Sequence, residues 1–155
     1  MTMTAHTADK TRSEATPRQR WMAVLSRASR AEIAQLVGTD VPRHDILKAP
    51  ETGTVMVEGR AGGAGRRFNL GEATVTRCII RLDDGAMGFS YALGRDGRKA
   101  RLAAILDARL QRAAPGAALH RAVDALAERQ SAARDLASRK AAATKVDFFT
   151  LVRGA

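Results

Sequence analysis

Apolar residues recur in a helical rhythm in the first third of the chain. From position 17 to 37 they stand three or four residues apart, which predicts one helix with an apolar side. Thr16 and Gln19 form a capping box at its start, with Pro17 in the first helical position. Gly38 fits the C-cap at its end. We therefore predict an N-terminal helix over about 17–37.

Alternation with a period of two residues replaces this rhythm in the middle of the chain. Three segments predict strands: 54–59, 73–82 and 86–93. Asp84-Gly85 between the last two is a signal for a tight turn, so these two strands form an antiparallel hairpin. Residues 44–48 are a candidate for one more strand, and the glycine-rich stretch 59–65 predicts a turn.

The helical rhythm returns in the last third of the chain. Residues 102–113 predict one helix, Pro115-Gly116 ends it, and residues 117–143 predict a longer one. Because every strand precedes both helices, the predicted class is α+β, with an N-terminal helix, a short antiparallel sheet with a hairpin, two C-terminal helices and an extended apolar tail. Residues 1–15 are predicted to be a disordered tail, and residues 16–155 a single domain.

Composition limits the core that this domain can build. Hydrophobic residues make up 45% of the chain, but 31 of them are alanine, which buries little surface. A partner would complete such a core. The formal net charge of +10 favours an anionic partner, such as nucleic acid, a nucleotide, a phosphorylated metabolite or an acidic protein surface. Since 21 of the 26 basic residues are arginine, GC-rich codon usage explains the excess equally well.

The sequence also predicts a cellular location. Cys78 is the single cysteine, which excludes an internal disulfide and a Cys-x-x-Cys metal motif. No segment approaches the roughly 20 apolar residues of a membrane span, and the N-terminus lacks the apolar run of a signal peptide. We therefore expect a cytoplasmic protein.

Five arginines are candidates for contacts with an anion or a partner: Arg60, Arg66, Arg77, Arg95 and Arg98. The first two flank the glycine-rich loop, whose N–H groups suit a phosphate, although a flexible loop with solvated arginines is the simpler explanation. The third lies in a predicted strand and faces either solvent or a partner. The last two lie where a strand leads into a helix, whose N-terminus attracts anions, but a cap by Asp96 explains that segment as well.

Groups for catalysis are scarce. The histidines are His6 in the tail, His44, and His120 on a predicted exposed helical face, and none has the spacing of a metal or nucleophile motif. Asp83-Asp84 fit a turn, and Cys78 in an apolar strand fits a buried thiol. The sequence therefore predicts no complete active site, no catalytic residue and no metal site in this chain.

The end of the chain is unusually apolar for a terminal segment. Phe148, Phe149 and Leu151 come after a long polar helix. Such a segment either folds back on its own core or inserts into another subunit, and the small core favours insertion. These three residues are the candidates for docking into a partner.

Short motifs occur in order over most of the chain. They are Arg20-Trp21-Met22, Glu51-Thr52-Gly53, Gly65, Phe68-Asn69, the run from Gly71 to Arg77, Asp84-Gly85, Gly88, Gly94-Arg95-Asp96, Asp107-Ala108 and the closing run from Val146 to Thr150. As an ordered set they resemble the PhnG family, the G subunit of the carbon–phosphorus lyase core complex of phosphonate metabolism.

The resemblance implies an accessory role in the use of organic phosphonates. It implies an assembly that displaces adenine from MgATP with methylphosphonate, giving α-D-ribose 1-methylphosphonate 5-triphosphate, with the nucleosidase chemistry on the I subunit. The implied partners are chiefly the I subunit, with H and J. MgATP is then a substrate of the complex, and no cofactor is expected on this chain. The family carries no catalytic residue over to these positions.

A basic nucleic-acid-binding module and a free-standing enzyme are the alternatives. The positive charge permits the first, but Phe68, Phe89 and Tyr91 are not arranged as a stacking pair on a sheet. The lack of a paired acid, base and nucleophile disfavours the second.

Overall fold

The computed structural model describes residues 15–61 and 65–144. In chain order the elements there are α1 (Pro17–Arg27), α2 (Arg30–Val37), β1 (His44–Arg60), β2 (Arg67–Leu82), β3 (Met87–Leu93), α3 (Gly97–Arg112) and α4 (Ala118–Ala143). The α+β class is confirmed. The predicted tail 1–15, apart from Ala15, and the proposed docking residues Phe148, Phe149 and Leu151 lie outside the described residues.

The predicted N-terminal helix is divided into α1 and α2. Thr16 caps α1 as predicted, since its hydroxyl accepts the Gln19 N–H at 3.2 Å and the Gln19 side chain accepts the Thr16 N–H at 2.8 Å. Ser29 and Glu32 form a second capping box, at 3.2 and 2.8 Å. The single helix expected over 17–37 is interrupted because the Ser29 hydroxyl takes a main-chain N–H and begins a new helix.

The sheet is antiparallel, with the strand order β1-β2-β3. β1 contains both segments that the sequence suggested separately, 44–48 and 54–59. Its pairing with β2 shifts register on either side of Lys48 and again between Val57 and Glu58. Such irregularities interrupt the alternation of faces, which is why the sequence does not show one long strand.

The predicted hairpin between β2 and β3 is confirmed. Gly85 has a φ of 85°, in the left-handed region that glycine adopts freely, and the Asp84 side chain accepts the Ala86 N–H at 2.9 Å. Asp83 and Asp84 are turn residues, as predicted. Arg112 donates to the Asp84 carboxylate at 3.1 Å, which ties this turn to the end of α3.

β1 and β2 continue past the end of β3. Because β3 pairs only with residues 75–81, residues 54–60 and 67–74 form a two-stranded ribbon, called here the β arm. At about 3.3 Å per residue, the arm extends roughly 25 Å beyond the three-stranded part of the sheet. A ribbon of two strands is marginally stable in water, so contact with another surface would stabilise the arm.

The helices cover one face of the sheet and enclose the core. Its largest fully buried apolar side chains are Ile33, Ile80, Ile105, Leu106, Leu110 and Leu126. Gly88 marks the closest approach of β3 to α3, because a Cβ at this position would lie 1.8 Å from the Ala104 carbonyl oxygen. Met87, Tyr91 and Leu93 of β3 point away from this core and remain exposed.

Only the first half of α4 packs on the body of the protein. Val123 is buried, and Gln130 donates to a main-chain carbonyl of α1 at 3.0 Å. Every residue from 131 to 144 is exposed, so the second half of α4 projects. His120 was expected on an exposed face but is half-buried, because the Trp21 ring packs against it with centroids 5.4 Å apart.

Candidate partner interface

A buried carboxylate joins α1, β3 and α3. Asp107 is fully buried, and Arg18 donates to both of its oxygens, at 3.2 and 2.7 Å. The Trp21 indole N–H and the Phe89 main-chain N–H donate to it at 2.9 and 3.0 Å. The hydrogen bond to Asp107 raises the pKa of the Arg18 guanidinium above its usual value. Asp107 thus holds these three elements together.

Side chains of α3 close the outer edge of β3. Three contacts do this: Asp107 accepts the Phe89 N–H at 3.0 Å, Gln111 donates to the Met87 carbonyl at 2.8 Å, and Lys99 donates to the Leu93 carbonyl at 3.1 Å. Lys99 is buried, and burial lowers the pKa of its ammonium group. A further strand cannot pair where these side chains already hold the main chain.

The outer edge of β1 differs between its two halves. Residues 45–51 carry Pro50, several charged side chains and register shifts, all of which hinder the pairing of a further strand. Residues 52–57 read Thr-Gly-Thr-Val-Met-Val, with neither a charge nor a proline. Apart from β2, no described segment forms a main-chain hydrogen bond with them. This half of the edge is open.

Apolar side chains line one face of the β arm. Val55, Val57 and Gly59 alternate along β1 and therefore share that face. The Phe68 ring lies beside Gly59, where a Cβ would be 3.3 Å from it, and the Leu70 Cβ is 3.7 Å from the same point. Phe68 is 46% exposed and Leu70 is 66% exposed. Apolar groups clustered on a projecting ribbon are typical of an interaction surface.

The tip of the β arm is basic. Arg60 and Arg67 are direct cross-strand partners, and Arg66 precedes Arg67 in the loop. Like charges that face each other across two strands destabilise the pair. The Glu58 carboxylate lies 3.6 Å from the Arg67 guanidinium group, but both side chains are mostly exposed, so this ion pair is weak. The tip therefore favours contact with an anionic group.

The five predicted arginines lie in three separate places. Arg60 and Arg66 are exposed at the tip of the arm, and Arg77 lies on β2, 3.2 Å from a carboxylate of β1. Arg95 and Arg98 lie at the start of α3, beyond the other end of the arm. The length of the arm separates the arginines at its tip from those at the start of α3 by more than roughly 20 Å. The structure does not bring the five together into one anion site.

The N-terminus of α3 is capped by its own chain. Asp96 accepts the Lys99 N–H at 2.9 Å and a hydrogen bond from Arg30 at 2.6 Å. The hydrogen bond from the Lys99 N–H contributes most to lowering the pKa of the Asp96 carboxyl group, and the hydrogen bond from Arg30 also lowers it. The cap that the sequence offered as an alternative explanation of this segment is present.

Comparison with known proteins decides the family. Residues 16–154 match the family described as "Phosphonate metabolism protein PhnG". The chain belongs to this family. One curated relative is the alpha-D-ribose 1-methylphosphonate 5-triphosphate synthase subunit PhnG of Rhizobium meliloti (strain 1021), which is 46% identical over 144 residues, or 88% of this chain and 89% of the relative. The resemblance inferred from the ordered motifs is confirmed.

The structure assigns a physical role to several of the PhnG motifs. Trp21 and Asp107, from motifs far apart in sequence, are joined by a hydrogen bond. Gly88 lets β3 approach α3, and Asp96 caps α3. These positions maintain the fold, and no local pattern in the sequence indicates the contact between Trp21 and Asp107.

The described part of this PhnG family member contains few groups suited to chemistry. Within residues 15–61 and 65–144, no cluster of three or more His, Cys, Asp or Glu side chains is placed to hold a metal ion. Cys78 is buried, as predicted, and burial raises the pKa of its thiol.

A mostly apolar cleft of about 880 Å³ lies between α1 and α4. No helix among the described residues is long and apolar enough to cross a membrane.

Proposed function

We propose that this chain is an accessory subunit of an α-D-ribose 1-methylphosphonate 5-triphosphate synthase, acting in the catabolism of organic phosphonates. The observation that carries the proposal is the 46% identity to a relative with this name, over 88% of this chain and 89% of the relative. An alignment of that extent spans most of the described fold.

The proposed reaction displaces adenine from MgATP with methylphosphonate. A phosphonate oxygen bonds to C1 of the ribose while the bond from C1 to adenine breaks, and adenine leaves with a proton. The nucleosidase chemistry belongs to the I subunit, and this chain helps to direct the attack towards the phosphonate instead of water. MgATP is then a substrate of the assembly, and this chain binds no cofactor of its own.

The proposed partners are the I subunit above all, with H and J. The exposed apolar face of the β arm and the projecting half of α4 support an obligate association. Phe148, Phe149 and Leu151 are the proposed anchors at the end of the chain. The five arginines are proposed contacts with the anionic substrate or with a partner. A cytoplasmic location goes with this function, because the cell holds its MgATP there.

Reconstitution tests the proposed role. Mixtures of the sister subunits, with and without this chain, receive MgATP and methylphosphonate, and adenine release and the phosphorus NMR signal of the product are followed. We expect product only when this chain is present, and none from the chain alone. Turnover by the purified chain would contradict the accessory role, and so would unchanged product without it. Nuclease treatment beforehand removes assembly mediated by nucleic acid.

Deletion of residues 146–155 tests the proposed anchors. We expect the shortened chain to lose co-purification with the I subunit, because Phe148 and Phe149 are the largest apolar side chains of this segment. A chain lacking residues 1–10 is the matched control and should co-purify normally. Equal co-purification of both shortened chains would show that the anchors lie elsewhere.

A further inference from the structure

We propose that residues 52–57 of β1 pair with an extended strand of a sister subunit, and that carboxylates on that strand face Arg60 and Arg67 at the tip of the β arm. This inference rests on the proposed function, because it requires an assembly with other subunits. It adds the surface through which this chain is held and the chemistry of the segment that binds there.

Main-chain geometry shows which groups the open edge offers. The Thr74 carbonyl points away from β1, since it accepts the Gly94 N–H at 2.9 Å. Thr54 is the cross-strand partner of Thr74. In an antiparallel ladder the two residues of a pair direct their main-chain groups either towards each other or both away. The N–H and C=O of Thr54 therefore point outward, as do those of Thr52 and Met56, two residues away on either side.

These outward groups form a template that fits one kind of partner. Three N–H donors and their carbonyls, spaced two residues apart, match the repeat of an extended strand, which is how peptides add to exposed sheet edges. Residues 52–57 contain no charge or proline, and their pairing with β2 is regular up to the register shift between Val57 and Glu58. The protein hinders pairing along 45–51 and closes the β3 edge, so the opening at 52–57 is selective.

The surroundings of the edge specify the side chains of the incoming strand. The apolar face with Phe68 and Leu70 continues beside it, so every second side chain of the strand should be apolar. At the tip, the opposition of Arg60 and Arg67 is unfavourable, and the exposed Glu58 offsets it only weakly, so a further negative charge is favoured there. A strand with alternating apolar residues that ends in aspartate or glutamate meets both requirements.

A pair of substitutions at one position separates the main chain from the side chain. Met56→Pro removes an outward N–H and breaks no hydrogen bond to β2, since the main-chain groups of Met56 point away from it. Met56→Thr is the matched control, because it changes the side chain and keeps the N–H. We expect Met56→Pro to weaken association with the sister subunits about tenfold or more, and Met56→Thr by less than about threefold. Circular dichroism melts check that both variants fold.

Hydrogen exchange in the unaltered chain tests the same idea without a substitution. The amides of Thr54 and Met56 should exchange fast in the free chain and at least about tenfold more slowly in the assembly. Slow exchange in the free chain would overturn the proposal, since the edge would already be filled by this chain or a second copy. Two other results would overturn the proposal: an assembly in which both amides still exchange fast, or equal association by the two Met56 variants.

A charge substitution tests the carboxylates of the partner strand. Arg67→Gln should flatten the decline of association with rising salt, whereas Arg43→Gln, at a position outside the arm, should leave it unchanged. Equal salt dependence of Arg67→Gln and the natural chain would overturn this part of the proposal. If the natural chain fails to associate with the sister subunits at all, the proposed function itself fails, an outcome distinct from these.

Discussion

At the scale of single residues, Asp107 joins parts of the fold that are distant in the sequence. Its carboxylate receives hydrogen bonds from Arg18, Trp21 and Phe89, which lie 89, 86 and 18 positions away in the sequence. A buried charge is stable only while such donors surround it. Because none of them is near Asp107 in the sequence, no local pattern predicts the network, whereas Cys78 could be predicted as buried from the apolar strand around it.

Replacing Asp107 should therefore destabilise the fold. Asp107→Asn keeps an acceptor oxygen but removes the charge that pairs with Arg18, and should lower the free energy of unfolding by about 2–3 kcal/mol. Urea denaturation followed by circular dichroism measures this change. Asp135→Asn, on the exposed half of α4, is the control and should change it by less than about 0.5 kcal/mol. Equal midpoints for the two variants would mean that the network contributes nothing to stability.

At the scale of elements, local signals predict what forms and long-range contacts decide where it ends. The hairpin at Asp84-Gly85 and both C-terminal helices follow from turn chemistry and periodicity, and all are confirmed. The break between α1 and α2 also has a local signal, the Ser29-x-x-Glu32 box, which the apolar periodicity across it concealed. The length of β1 has no such signal, because irregular pairing near Lys48 removes the alternation that identifies a strand.

The packing of β3 on α3 leads to a prediction at this scale. Gly88→Ala would place a methyl group 1.8 Å from the Ala104 carbonyl oxygen, so the strand and the helix must move apart. We expect a loss of at least about 2 kcal/mol in the free energy of unfolding. Gly53→Ala is a matched change within the same sheet, where no heavy atom of another described segment lies within 4 Å of the new Cβ, and it should be nearly neutral. Thermal melts that shift equally for both would refute the close approach.

At the scale of the whole molecule, two segments project from a single packed body. The β arm and the half of α4 from residue 131 to 144 both extend from it, and both expose apolar side chains, Leu136 among them. The sequence predicted a small core that needs a partner, and this much follows from composition. It could not place the projections, because which strand outlasts its neighbour depends on pairing between distant segments. The candidate arginines were found by residue type, but their separation into three places depends on the fold.

Shortening the chain tests whether the body is self-sufficient. A chain that ends at residue 132 keeps Val123, Leu126 and Gln130, and among the described residues it loses only the exposed end of α4. Its melting temperature should fall by less than about 2 °C, whereas a chain that ends at residue 121 loses buried Val123 and Leu126 and should melt at least about 5 °C lower. A large decrease for the longer chain would mean that its lost end packs on the body.

The closure of the β3 edge by Lys99, Asp107 and Gln111 has a consequence for colloidal behaviour. Fibril growth through β-sheets requires each molecule to present two pairing edges, one for the neighbour above and one for the neighbour below. In the part of the chain that the structure describes, the sheet has one edge of this kind. Stacking through the sheet therefore ends after a single pairing event, which protects a chain that has not yet met its partners from growing into fibres.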